Sequence, residues 1–530
     1  MTVIHTVDER SLDDLRPDVI VVGAGINGTV LAAALDGGKM SVLVLEAGDD
    51  GDDGDDGDDE AWWSETLGLP FEGATTGRRC GYGGTGAWWA GQCAPFDPLD
   101  LEKRPWVPHS GWPISWTDLA GWHPAASRAL GIADEAFDES QWRRRGVQPL
   151  PSEMLKHKFS VFLPRPDIAA VLRPQLARSR QVTVVARCPV VEVMRHETSE
   201  RVGGVRVSLP SGQRRTISAP VVVLATGGIE TPRLLLNSKG RDPAGLGNGH
   251  DLVGRFLHDH PSGIAAEVHP LHPRRMQDLY GMLYARRSTS RTRSWARIPL
   301  SESMQRQECL VSATSNVVFD DADGPTDDLK RLVRGLMRTS PLERELSTVA
   351  LMRPAIASLP TAPSVAWRRF ARGLSPARPT THVWLRTAAE QPPRRECRVT
   401  LSRSVDERGV PLAAVDWRLG EEERTAQRRL VAQVAKAWQR ANLATVTPLP
   451  WLDTDEDWHG HQVDAYHHSG TTRMAGAARD GIVDTNLQAH EVPGLYVTGS
   501  AVFPTSSHAN PTFTSVALSL RLANHLREIL

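Results

Sequence analysis

From Asp18 the chain runs DVIVVGAGINGTVLAAAL and then KMSVLVLEAG. An apolar run enters a glycine-rich turn, continues through small residues, and is followed by a second apolar run that closes on Glu46. Unbroken β-branched runs predict strands buried on both faces, and the small-residue stretch between them predicts a tightly packed helix. The whole reads as a β-α-β unit of about 30 residues. Further along, the pattern predicts a helix around 167–178, strands at QVTVVA, VVEVMRH and GGVRVSL, and a buried strand, glycine turn and helix start in PVVVLATGGIETPRLLLNS. Past residue 262 the pattern loosens and arginine becomes frequent. Segment 327–376 carries helical apolar spacing in LKRLVRGLM and VAWRRFARGL, predicting helices that pack on the body, meet another copy or lie on a membrane surface. Alternation returns in THVWLRTA, RVTLSR and AAVDWRL, an amphipathic helix follows at about 421–441, and the last 75 residues are again glycine-rich strand and turn.

Composition narrows the picture. The 530 residues suffice for two or three domains. A formal net charge of −2, with arginine spread along the chain, gives no footprint for nucleic acid or an anionic membrane surface. Cysteines 80, 93, 188, 309 and 397 form no CxxC pair, so neither a disulfide framework nor a bound metal is expected, and a reducing compartment is. The polar N-terminus and the lack of any apolar run of about 18 residues predict a cytoplasmic protein without a transmembrane segment. Residues Asp49 to Glu60 alternate glycine with paired aspartates, which predicts a solvated loop; as an acidic rim it would attract a cationic substrate. Sixteen tryptophans against five tyrosines fit either aromatic walls around a ligand or scattered packing.

Gly23, Gly25 and Gly28 form G-x-G-x-x-G between the first strand and its helix. In that setting the first glycine allows the tight turn, the second lets a pyrophosphate approach the backbone, and the third lets helix and strand pack closely. Asn27 lies inside this turn, at the helix N-terminus that would face the phosphates. Glu46 follows Gly28 by 18 residues, placed to accept hydrogen bonds from ribose hydroxyls. A dinucleotide is the predicted ligand.

Three further blocks resemble the glucose–methanol–choline (GMC) oxidoreductases, in that family's order. They are GGTGAWWAG at 83–91, AEQPPRRECRVTLS at 389–402, and HHSGTTRMAG with the GIVDTNLQAHEVPGLYVTGSAVFPTSSHANPTFTSVALSLRLANHL that follows. The most specific signal is H-x-x-G-T at His467–Thr471 with Asn510-Pro511 ahead of a final helix. The resemblance implies an α/β fold: a Rossmann-like FAD-binding domain of the GMC and p-hydroxybenzoate-hydroxylase kind, drawn from 15–261 and 456–530. Into it an α+β substrate domain on an antiparallel sheet is inserted at 262–455, including the helical segment 327–376. It further implies that Gly83, Gly84 and Thr85 hold pyrophosphate and flavin, that Val190 meets adenine through its backbone, and that Ala225 and Gly227 lie beside the dinucleotide. Gly499 and Ser500 fall near the ribityl chain, and Asn510 and Thr512 at the isoalloxazine edge. Where some members carry the histidine that tethers FAD, this chain has Trp88, which implies a non-covalent flavin. Trp89 stands where many members have asparagine, and both tryptophans are expected to wall the cofactor.

For the chemistry, His467 is the candidate base for a hydroxyl proton while the carbinol hydride passes to flavin N5. Asn510 would donate its amide N–H to the same oxygen. His468 and His508 compete for the base; position within H-x-x-G-T favours His467, with His468 pointing away and His508 capping or packing its turn. The reading is an FAD-dependent oxidation of a sugar, aminosugar or aminoglycoside, or polyol-like alcohol. The acceptor would be oxygen or another oxidant, and the chain could form an oligomer. A cyanohydrin-type lyase with a non-redox FAD, a steroid or lipid alcohol oxidase using 327–376 against a membrane, and a flavin-free NAD enzyme are the competing readings.

Overall fold

The computed structural model describes residues 4–6, 15–49, 64–151, 153–284, 292–320, 367–375, 380–454 and 457–530. The acidic run 50–60 and most of the predicted helical segment, 327–366 and residue 376, therefore lie outside the described residues.

The short apolar runs form a six-stranded parallel sheet, in spatial order Ile4–Thr6, Val182–Ala186, Val42–Leu45, Val19–Val22, Val221–Leu224 and Leu495–Val497. Four of these strands are buried at every residue, as continuous apolar runs covered on both faces must be. The helices Ile26–Leu35 and Thr512–Ile529 pack against each other over the sheet, so the last helix of the chain seals the first β-α-β unit. Strand order reverses at Val19–Val22, with Val42–Leu45 on one side and Val221–Leu224 on the other. A crevice opens at such a switch point, beyond the carboxyl ends of the strands.

A second, antiparallel sheet stands opposite that crevice. Its order is Ala444–Pro448, Ser262–Pro270, His382–Ala389, Ala313–Asp320, Arg293–Pro299, Lys158–Phe162 and Gln92–Cys93, with Leu283–Tyr284 on the edge of Arg293–Pro299. By sheet membership, residues 92–93 and 158–162 of the N-terminal segment join strands of the 262–455 segment. Strand alternation fixes which side chains share a face but not which strand lies beside it, so this pairing is not written locally.

The helix Glu421–Arg440 backs the sheet. Three glutamates occupy its first turn, where the helix dipole favours anions, and Arg394 closes on Glu423 at 2.6 Å. Ala426, Leu430, Val434, Ala437 and Trp438 recur on its buried face. Truncating Leu430, which is fully buried, would cost about 2–5 kcal/mol. Among the described residues, no helix is long and apolar enough to cross a membrane.

Candidate active site

The first βα turn builds one wall of the crevice. Gly23 has φ +97°, and a Cβ there would meet the Ala225 carbonyl oxygen at 2.9 Å. At Gly28 a Cβ would lie 2.0 Å from the Gly23 carbonyl oxygen, so helix and strand touch backbone to backbone. At Gly25 it would meet nothing within 4 Å, leaving the turn open toward the crevice at the start of the helix. A bare backbone edge at a helix N-terminus suits a pyrophosphate. Gly25 also bridges to Gly83, and a Cβ on Gly84 would sit 3.3 Å from the Gly25 Cα, so the second glycine loop presses directly on the first.

Glu46 ties this region together. Its Oε2 accepts the Ala24 N–H at 2.8 Å, and its Oε1 accepts those of Gly48 and Gly81 at 3.1 Å each. Oε2, with one bond, keeps acceptor capacity, and the residue lines the crevice.

The crevice has a volume of about 810 Å³, within the range of ligand sites. It is lined by Gly23, Gly25, Asn27, Glu46, Gly84, Thr85, Trp88, Trp89, Val190, Ala225, Gly227, His467, Ser500, Asn510 and Thr512. Gly28, Gly83 and Gly499 stand behind this wall. Gly83 donates its N–H to the Ala24 carbonyl at 3.0 Å, and Gly499, at φ +103°, backs onto the Asn27 amide. Trp88 is 55% exposed at the mouth with the Arg79 guanidinium 5.3 Å from its ring, whereas Trp89 is held by an indole bond to the Pro166 carbonyl at 2.8 Å.

At the far end the side chains form one hydrogen-bonded line. His260 Nε2 lies 3.2 Å from the Ser506 carbonyl oxygen, which can only accept, so Nε2 carries the proton and Nδ1 is bare. His260 Nδ1 is 2.7 Å from His467 Nδ1, which must therefore donate. That leaves His467 Nε2 unprotonated, and it accepts the Asn510 Nδ2–H at 3.2 Å. Asn510 is oriented in turn by Arg297, whose Nη2–H donates to its Oδ1 at 3.3 Å. The backbone of His467 is pinned too, its N–H donating to Asp259 Oδ2 at 2.8 Å.

Burial governs the charges here. His467 is held well below the usual imidazole range, first by desolvation and then by His260, Arg297 and His468. Desolvation likewise lowers His260 to about 4 and His508 to about 3. Burial and the neighbouring Asp464 raise Asp259, against the three backbone N–H groups it accepts from His260, Ala465 and His467. The cluster thus holds neutral imidazoles, one with its unprotonated nitrogen at the crevice against the Asn510 amide.

His468 turns away, its ring 5.2 Å from Phe71. His508 bonds through Nδ1 to Ser312 Oγ at 2.7 Å and keeps a buried Nε2 without a partner among the described residues. His260, Asp259 and Arg297 were not singled out by the sequence. The clustered HDHP at 258–261 was a signal for the first two; nothing local marks Arg297.

Residues 18–371 match the family model described as FAD dependent oxidoreductase, and residues 393–519 match the one described as GMC oxidoreductase. A 2-methyl-1,2-propanediol dehydrogenase of Mycolicibacterium austroafricanum is 23% identical, with 96% of this chain and 95% of the relative covered. A paromamine 6'-oxidase of Streptomyces fradiae is 22% identical, over 96% and 91%. The crystal structure of pyridoxine 4-oxidase from Mesorbium loti superposes with a TM-score of 0.57 at 17% identity, over 97% of this chain and 99% of that one, a likeness of fold.

Proposed function

Because this chain belongs to the FAD-dependent oxidoreductases of the GMC family and acts on CH–OH groups, we propose that it oxidises a sugar or polyol-like alcohol with His467 as the base. One observation carries the reading: His467 presents a bare Nε2 to the crevice within reach of the Asn510 amide.

The residues around the glycine turns suit the cofactor, with Gly25, Glu46, Gly84 and Thr85 toward its nucleotide and pyrophosphate and Ser500, Asn510 and Thr512 toward its flavin. Trp88, standing in the glycine loop, forms no covalent link, so FAD is held non-covalently. Bound FAD would supply the acceptor for the hydride that leaves the carbinol carbon with its two electrons. A substrate hydroxyl between His467 Nε2 and Asn510 Nδ2 gives its proton to the imidazole, and the carbon–oxygen bond becomes a carbonyl. As the proton leaves, the Asn510 N–H and the Arg297 guanidinium behind it stabilise the negative charge building on oxygen. Neutral His260 keeps the receiving nitrogen free, since it takes the Nδ1 proton of His467 as a hydrogen bond.

Anaerobic mixing of the yellow holoenzyme with sugars, aminosugars, polyols and simple alcohols tests this. Bleaching of the flavin band by an alcohol is expected, and its slowing by roughly 10²–10⁴-fold in His467→Ala. A flavin that no alcohol bleaches, in a protein that releases aldehyde from a cyanohydrin, would refute the redox assignment.

A further inference from the structure

The antiparallel sheet turns one face to the crevice, opposite the parallel sheet. Trp295 and Arg297 alternate along one strand, Asn316 and Arg386 are paired across the next two, and Ala388 pairs with Ser262. All six line the crevice. This is the wall against which the non-reacting part of a substrate would lie.

Its chemistry is one-sided. Arg297 forms no ion pair among the described residues, where its hydrogen-bond partner is the neutral Asn510. Burial alone lowers its pKa to about 10, with no carboxylate among the described residues near enough to offset the desolvation of the guanidinium. Asn316 is 7% exposed, and neither its Nδ2 nor the buried Nε2 of His508, which also lines the crevice, has a partner among the described residues. The carboxylates that line the crevice are Glu46, Glu230 and Asp406. Glu46 is held by the glycine turns, and Glu230 and Asp406 are paired with Arg78 and Arg233 at the nucleotide end. The wall at the reacting end therefore offers hydrogen-bond donors and a part-buried cation, and among the described residues that line it no carboxylate, Asp259 lying behind His467 with its oxygens on backbone N–H groups.

A guanidinium without a counter-charge is an expensive group to bury, and its planar pair of N–H donors fits a carboxylate in two parallel bonds. An ammonium placed against the same wall would meet like charge and no acceptor anion. We infer that the alcohol taken by this site carries a carboxylate, as a sugar acid does, that Arg297 and Asn316 bind that carboxylate, and that a cationic aminosugar is disfavoured. This narrows the substrate class of the alcohol-oxidising reading and rests on it. It also runs against the attraction of a cationic substrate expected of the acidic run 49–60, of which residues 50–60 lie outside the described residues.

The test is binding to the oxidised holoenzyme, read by perturbation of the flavin band, with glucuronate, glucose and glucosamine as matched probes. Binding does not require turnover, so the result stands apart from the success of the redox assignment. Glucuronate should bind most tightly and glucosamine most weakly. Arg297→Met should weaken glucuronate on the order of 30-fold or more and by at least about 10-fold more than it weakens glucose, which loses only the orienting bond to Asn510, and Arg297→Lys should recover part of the glucuronate loss. Asn316→Ala should weaken glucuronate in the same sense, which keeps the test available if Arg297→Met loses its flavin. Glucosamine or glucose binding as tightly as glucuronate would overturn the inference. So would an equal loss for all three probes in the arginine variants, which would assign Arg297 to the flavin or to Asn510 alone, or no detectable binding of glucuronate.

Discussion

The imidazoles of His260 and His467 meet nitrogen to nitrogen, Nδ1 to Nδ1, at 2.7 Å. Two acceptors or two donors could not sit so close, and the Ser506 carbonyl on the far side of His260 decides which ring donates. The tautomer of the candidate base is thus set by a residue 207 positions away. His260→Ala removes the acceptor and frees His467 to place its proton on either nitrogen. Flavin bleaching should slow by roughly 10–100-fold, the scale on which partners that fix an imidazole act. Once protonated, near pH 4, His260 also repels a proton on His467, so without it the acid limb of the pH–rate profile should move to higher pH. His260→Asn, with an amide oxygen that can accept the Nδ1 proton, should recover part of the rate. An unchanged profile in His260→Ala would show that the pair is only packing.

The same burial predicts how stability responds to acid. His258 and His468 are lowered to about 3, as is His508, and His260 to about 4, each chiefly by desolvation. Unfolded, all four would take up a proton near pH 6.5. Between that pH and their depressed folded values the unfolded chain binds more protons, so stability falls as pH falls through this window. Above pH 7 these groups are neutral in both states and contribute no slope. The thermal midpoint should hold near pH 7–8 and drop steadily toward pH 4. A midpoint flat from pH 7 to 4.5 would show that these histidines are solvated in the folded protein.

How much of this was legible is itself a physical question. The parallel sheet and its glycine turn were, because buried apolar runs and G-x-G-x-x-G act within about 30 residues of chain. The helix Glu421–Arg440 was, from its apolar spacing. The antiparallel pairing of 158–162 with 293–297, and of 92–93 with 161–162, was not, since period two is silent about the neighbouring strand. His260 and Arg297 escaped for a related reason. Their roles exist only once Ser506, His467 and Asn510 are brought to them from 200 or more residues away.

Arg104 and Glu390 form a fully buried bidentate pair, at 2.7 and 2.6 Å, between the N-terminal segment and the end of the strand His382–Ala389. Glu390 also accepts the Ser312 N–H, and Ser312 holds His508. Arg104→Met alone leaves an unpaired buried carboxylate and should cost about 3–5 kcal/mol, while adding Glu390→Leu should recover much of it. Thermal unfolding of the two variants checks this. A double variant no more stable than the single would mean that Glu390 is held mainly by its backbone contacts.

Retention of the cofactor follows from the loop chemistry. Trp88 offers no nucleophilic nitrogen where a tethering histidine would stand, so acid precipitation should leave all of the yellow colour in the supernatant. Colour that stays with the pellet would mean a covalent link through another side chain.

The fingerprint glycines should fail in two different ways. At Gly28 an added methyl would lie 2.0 Å from a carbonyl oxygen of the same turn, and backbone cannot yield there without parting helix from strand. Gly28→Ala should therefore damage the fold itself, seen as poor solubility or a lower thermal midpoint even without FAD. At Gly25 the methyl meets no protein atom within 4 Å and projects into the crevice. Gly25→Ala should cost the apoprotein no more than about 1 kcal/mol, the scale on which alanine is disfavoured at a helix N-cap, because Gly25 has an ordinary negative φ of −69°. The same methyl occupies the approach of the pyrophosphate, so the purified variant should be pale, with a low ratio of flavin to protein absorbance. If Gly25→Ala instead unfolds the apoprotein while keeping its colour when folded, the open edge of the turn is not where the phosphates lie.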